Sequence, residues 1–170
     1  QTRYGIEMQF LVNHIGHFAL VNALLSAVRS GAGRIVMVTS RTGINRAPAE
    51  GIMFDNLDGN SFYDPVVFYA QSKLANALFA KELSRRVSAR GIAVNSVHPG
   101  VTWGTGLRRT LSPVSKITLA AASVLMKSAQ QGAATQTLLA ASPRVSAITE
   151  EICGNSQIAT VTRLLHDTLR

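Results

Sequence analysis

Apolar residues recur at helical spacing through Ile6, Phe10, Phe18, Val21, Leu25 and Val28, with His14 and His17 on the same stripe. This pattern predicts a helix from about Tyr4 to Val28, ended by Gly31 and Gly33. Arg34 to Thr39 follows as a nearly continuous β-branched run, the signature of a strand covered on both faces. Residues 41–63 are rich in Gly, Asn, Asp and Pro and read as a loop, with one short helix near Phe54 to Leu57. Asp64-Pro65 has the form of an N-cap followed by proline at the first helical position. It opens a helix over about Val66 to Ala89, stopped by Gly91. Ile92 to Val97 is the next strand and runs into His98-Pro99-Gly100. Residues 101–115 read as a loop, and helices are expected over Ser115 to Lys127 and Ala129 to Ala141. A short strand near Glu151 to Cys153 and a helix over Ala159 to Leu169 complete the chain.

Helices and strands alternate, with connections too long for hairpins. That order implies parallel strands joined by helical crossovers, an α/β fold. Ligands of such sheets bind beyond the carboxyl ends of the strands. Ser40 and the His98-Pro99-Gly100 turn fall at those ends.

Length and composition narrow the picture. The chain has 170 residues, 46% of them hydrophobic, enough for one domain with a core. The net charge of +8 raises the question of nucleic acid, but the cations are scattered and aromatics make up only 6%, so no nucleic-acid partner is expected. A single cysteine, Cys153, excludes internal disulfides and fits a reducing, cytoplasmic setting. The longest apolar run, Ile117 to Met126, is too short to span a bilayer, so no membrane span is expected. The first residue is Gln1, as in a processed chain or a piece of a longer one.

The chemistry concentrates at Tyr69-Ala70-Gln71-Ser72-Lys73. Residues four apart on a helix share a face. A lysine one turn from a tyrosine favours the phenolate, and a phenol tuned that way trades protons with an alcohol or ketone near neutral pH. Tyr-x-x-x-Lys alone also occurs by chance on many helices. His14 and His17, three apart, have metal-ligand spacing but no third ligand near them, so no metal is expected. Ser40 with His98 hints at a hydrolase, whose Gly-x-Ser-x-Gly elbow is absent.

Four stretches in order carry a resemblance: Gln9 to Phe18, Arg34 to Ser40, Tyr69 to Asn76, and Val97 to Val101. The chain resembles the carboxyl-terminal part of a short-chain dehydrogenase/reductase, of the retinol-dehydrogenase-like and WW-domain-oxidoreductase-like branch. The resemblance fades after about Pro143. It implies a Rossmann-like, doubly wound parallel sheet, present only in its second half, without the N-terminal dinucleotide-binding strands. It treats residues 1–170 as one partial domain, with 101–128 as the substrate-binding loop or lid. It implies a catalytic tetrad of Asn13, Ser40, Tyr69 and Lys73. In that tetrad Tyr69 is the general acid/base and Ser40 bonds the substrate oxygen. Lys73 tunes the tyrosine and bonds the nicotinamide ribose, and Asn13 anchors a water. Pro99, Gly100, Val101 and Thr105 would meet the cofactor, NAD or NADP, beside Tyr69 and Lys73.

The implied activity is interconversion of an alcohol and its carbonyl. The implied substrate is small and apolar, because Ile117 to Met126 falls where the family has its lid. A homodimer through the first long helix and the Tyr69 helix is compatible with the resemblance. The family's glycine-rich loop belongs to the first strand–helix turn, which these residues do not supply: Gly31-Ala32-Gly33 is too short and precedes a strand. The alternative reading is therefore a truncated, non-catalytic chain that serves as an interaction module or has no activity of its own.

Overall fold

A computed structural model describes residues 2–102, 126–146, 148–149, 152–154 and 157–159. Strands β1 (Thr2–Arg3) and β2 (Ile6–Glu7) form an antiparallel hairpin. Its turn is Tyr4-Gly5, both at positive φ (56° and 72°), as a two-residue turn matched to strand twist requires. The first helix, α1 (Met8–Ala27), therefore starts later than Tyr4, the start its apolar spacing suggested. The reason is Glu7, whose side chain accepts from the amides of Gln9 (2.8 Å) and Phe10 (3.0 Å) and so caps the helix at Met8. Within α1, residues Leu11–Ile15 are wound as a π-helix.

Strand β3 (Arg34–Val38) is followed by α2 (Arg41–Ile44), a single turn where the composition suggested only loop. A 3₁₀ turn at Phe54–Asn56 occupies the place of the expected short helix. Helix α3 (Pro65–Val87) starts at Pro65, where Asp64 Oδ1 accepts from the amides of Val66 (2.7 Å) and Val67 (3.0 Å). It closes through a 3₁₀ turn and Gly91, which takes φ 61°. Strand β4 (Ala93–His98) leads to the Pro99-Gly100 turn, and α4 (Ala129–Ala141) opens on a capping box made by Ser128 and Gln131. The chain ends, among the described residues, in β5 (Ile152–Gly154) and β6 (Gln157–Ala159). The helices expected over Ser115 to Lys127 and Ala159 to Leu169 lie outside the described residues, apart from the last residues of the first and the first of the second.

The sheet has the order β3-β4-β5-β6, with β3, β4 and β5 parallel and β6 antiparallel to β5. Arg34 sits opposite Ala93 and Val38 opposite Val97. The two-residue period sorts the core. Ile35, Met37 and Val94 face one way, onto Ala80, Leu83 and Val87 of α3 and onto Val21 and Leu25 of α1. Val36 and Val97 face the other way, onto Leu139 of α4. Helices thus cover both faces, the arrangement that continuous apolar strands require. No described strand pairs with the outer edge of β3, and Val38 on that edge is exposed.

Helix α1 is long and apolar enough, by length and composition, to cross a membrane. The expectation of no span looked only at unbroken apolar runs and did not weigh this helix, which meets the requirement by length and composition alone. Its Asn13 and His14 nevertheless bond to α3 within the fold.

Gly132 of α4 lies against the turn after β4, where a Cβ would collide with Thr102 Cγ2. Gly to Ala inside a helix ordinarily stabilises by about 1 kcal/mol. Here overpacking reverses the sign: Gly132→Ala is expected to lower unfolding free energy by about 1–3 kcal/mol in denaturant titration. Adding Thr102→Ser, which removes that methyl, is expected to recover most of the loss.

Candidate active site

Helix α3 carries Tyr69, Ser72, Lys73 and Asn76 on the side that meets α1 and the end of β3. The amide of Asn76 is 1% exposed and joins the three elements. Its Nδ2 donates to the main-chain carbonyl of Asn13 (2.9 Å) and, at greater length, to that of Val38 (3.5 Å). Its Oδ1 lies 3.0 Å from His14 Nδ1, which must carry the proton because a carbonyl oxygen only accepts. Asn13 Nδ2 donates to Ser72 Oγ (3.1 Å), and Ser72 Oγ donates to the carbonyl of Tyr69 (2.7 Å). His17 Nδ1 donates to the Asn13 carbonyl (2.8 Å). Asn13 lies in the π-wound segment of α1, a winding that recurs at functional sites.

Lys73 is fixed by its backbone, since Thr39 Oγ1 donates to its carbonyl (2.7 Å). Its Nζ lies 5.7 Å from the centroid of the Tyr69 ring and makes one long bond, 3.5 Å, to the carbonyl of Val38. Desolvation lowers the Lys73 ammonium's pKa from its usual 10.5. Among the described residues no carboxylate pairs with it, and the hydroxyl of the half-buried Tyr69 has no hydrogen-bond partner. Ser40 is buried at the end of β3, next to Thr39, and its carbonyl accepts from Ile44 to start α2.

Thr39 donates its amide to the Val97 carbonyl (2.8 Å), so the β3–β4 ladder continues to the brink of both loops. Ser40 and His98 therefore end adjacent strands. Beyond His98, Gly100 takes φ 84°, a conformation that favours glycine. Val101 is exposed, and its carbonyl accepts from Lys127 N (3.0 Å). Thr105 lies outside the described residues, as does most of 101–128.

The structure thus sets Asn13, Tyr69 and Lys73 in one bonded neighbourhood, and Ser40 and Pro99-Gly100-Val101 at the ends of the two strands beside it. His14 and His17, which have metal-ligand spacing, spend their Nδ1 atoms on Asn76 and on the Asn13 carbonyl. His14 also packs against Phe10, Phe18 and Phe79. Sequence reasoning missed Ser72 and Asn76. Their signal was available: they fall three and seven residues after Tyr69, on its face of the helix. It also passed over the spacing Gly100, Gly104, Gly106, which has the form Gly-x-x-x-Gly-x-Gly after β4. Its last two glycines lie outside the described residues.

No protein-family model matches the chain. The chain is 37% identical over 158 residues to human retinol dehydrogenase 14, an alignment covering 91% of this chain and 46% of that protein. It is 38% identical over 172 residues to the chloroplastic short-chain dehydrogenase TIC 32 A of Brassica napus, covering 96% of this chain and 53% of that one. Among solved structures it is similar to the angucycline C-6 ketoreductase LanV with bound NADP. There the TM-score is 0.59 at 27% identity, covering 86% of this chain and 50% of LanV. The chain spans about half the length of the curated relatives it matches.

The lowered pKa of Lys73 makes a prediction about stability. The unfolded chain holds that proton more tightly than the folded one, so stability is diminished at neutral pH. It rises with pH in the interval below 10.5. Lys73→Met is expected to raise the melting temperature at pH 7 and to abolish the alkaline rise. Lys81→Met, at an exposed position of the same helix, is expected to do neither.

Proposed function

The chain belongs to the short-chain dehydrogenase/reductase family, and on that premise we propose that it carries the catalytic machinery of an NAD(P)-dependent oxidoreductase interconverting an alcohol and its carbonyl. We take it as the second half of the doubly wound fold, one partial domain over 1–170 with 101–128 over the site. The observation that carries the reading is the shared face of α3. It presents a half-buried tyrosine and, 5.7 Å from its ring, an ammonium with no carboxylate partner among the described residues.

The donor set suits a nicotinamide–ribose group. Lys73 keeps donors to spare beyond its long bond to Val38, and ribose hydroxyls would accept from them. Pro99, Gly100 and Val101 at the end of β4, with Thr105, would form the neighbouring wall. When bound, NAD or NADP would supply or accept the hydride. The chain's own residues handle the proton. Tyr69 gives its phenolic proton to a carbonyl oxygen, or takes one from an alcohol. Ser40 donates a hydrogen bond to the same oxygen and orients it. Lys73 favours the phenolate that remains. The Asn13 carbonyl already accepts from Asn76 and His17, so a relay water would bond the Asn13 side-chain oxygen instead.

A small apolar substrate is the reading we carry over from the family, because the apolar run Ile117 to Met126 falls where the family has its lid. Exposed Val12, Phe18, Leu20 and Leu24 on α1 support a homodimer. For location we keep a reducing compartment, and a chloroplastic relative extends that beyond the cytoplasm. The comparisons do not favour the reading as an inactive interaction module.

In the chain joined to the remaining half of its fold, Tyr69→Phe is expected to cut turnover by about 10²–10⁴. Cofactor binding, read by fluorescence titration with NADPH, should survive. Ordinary turnover in Tyr69→Phe would remove Tyr69 from the chemistry.

A further inference from the structure

The carboxyl ends of β3 and β4 carry more positive charge than proton transfer at Tyr69 uses. Arg41 opens α2 directly after Ser40. Lys127, distant in sequence, is brought in by backbone pairing: its amide donates to Val101, and a parallel bridge joins it to Thr102. Its side chain lies along Gly100. A Cβ there would meet Lys127 Cδ, Cε and Nζ at 3.1, 3.2 and 3.3 Å, so glycine leaves room for the stem of the lysine.

Both cations act on His98. Burial, then Lys127, then Arg41 hold its imidazole below the usual 6.5, and its Nδ1 is buried with no partner among the described residues. Among the described residues neither Arg41 nor Lys127 has a carboxylate partner. The ion pairs there join Glu82 to Arg85 and Arg86, at the far end of α3. Lys127 lies along the glycine turn and Arg41 follows the end of the adjacent strand, so two cations with no described carboxylate partner make the ligand edge of this parallel sheet positive.

We propose that Lys127 and Arg41 form an anion-binding subsite beside the Pro99-Gly100 turn, which takes a phosphate or carboxylate group of the bound ligand. An anion there would accept charge-assisted hydrogen bonds from the ammonium and the guanidinium, neither of which has a carboxylate partner among the described residues. The group could belong to the dinucleotide, or to an acidic end of the substrate. The first source rests on the oxidoreductase reading; the subsite itself does not.

The test is lysine footprinting. Pyridoxal 5′-phosphate forms imines with lysines near anion sites, borohydride fixes them, and peptide mapping reads each site. The chain has four lysines, Lys73, Lys81, Lys116 and Lys127, of which exposed Lys81 serves as reference. Inorganic pyrophosphate is expected to suppress labelling of Lys127 several-fold if the source is the dinucleotide, and decanoate if it is an acidic substrate. Lys81 should be unaffected by either. Arg41→Gln, with its fold checked by circular dichroism, is expected to weaken that protection several-fold. Failure of both anions to protect Lys127 selectively overturns the proposal, whether or not the chain oxidises alcohols. Protection in a chain that turns over nothing upholds the subsite and counts only against the catalytic reading.

Discussion

The arrangement depends on one buried amide. Asn76 contacts two main-chain carbonyls and one imidazole, and those three groups come from β3 and α1, both sequence-distant from α3. A buried amide left unsatisfied costs about 1–3 kcal/mol, so the cluster is stable only when all three elements are in register. That constraint fixes the rotation of α3 about its own axis. One turn back along the same face are Ser72 and Lys73, and a further turn back is Tyr69. The direction in which the candidate acid/base points is therefore set by a residue that takes no part in proton transfer.

The π-wound segment of α1 belongs to the same constraint. Regular α-helical bonding would commit the carbonyl of Asn13 within its own helix. Here that carbonyl accepts from side chains, His17 one turn on and Asn76 across the interface. The acceptor that α3 uses thus lies in the segment where the winding departs from the regular α-helix. A polar seam of this kind is directional, and apolar packing between α1 and α3 would let the helices slide. Phe18 and Phe79, whose centroids are 5.0 Å apart, add the apolar part of the contact one turn further along.

Much of this was legible in the sequence for physical reasons. Strands β3 and β4 read clearly because burial on both faces demands continuous apolar runs. The start of α3 read clearly because an Asp-Pro pair has few other uses. The start of α1 did not, because Tyr4 and Ile6 continue the apolar spacing while Tyr4-Gly5 turn the chain; backbone sign and a capping carboxyl decided it, and neither appears in a hydrophobic pattern. Helix α2 was hidden in loop-like composition. The shared face of Tyr69 and Lys73 was legible from spacing alone. Asn76 was not singled out, since an asparagine on a helix reveals its partners only when α1 and β3 are in place. Lys127 was invisible for the same reason: only the bridge to Thr102 brings it to Gly100.

The same site shows why its charges are costly and kept. Lys73 and His98 are both held towards their neutral forms, chiefly by burial, and His98 further by Lys127 and Arg41. No described carboxylate neutralises Arg41, Lys73 or Lys127, although a single Glu or Asp at this edge would stabilise the chain. A carboxylate there would also occupy the lysine donors and cancel the positive potential. Positive charge left uncompensated at the open end of a sheet is electrostatic preorganisation. The fold bears the desolvation of Lys73 and His98 in advance, and in the proposed reading a ligand that brings negative charge or hydroxyl acceptors would recover it on binding.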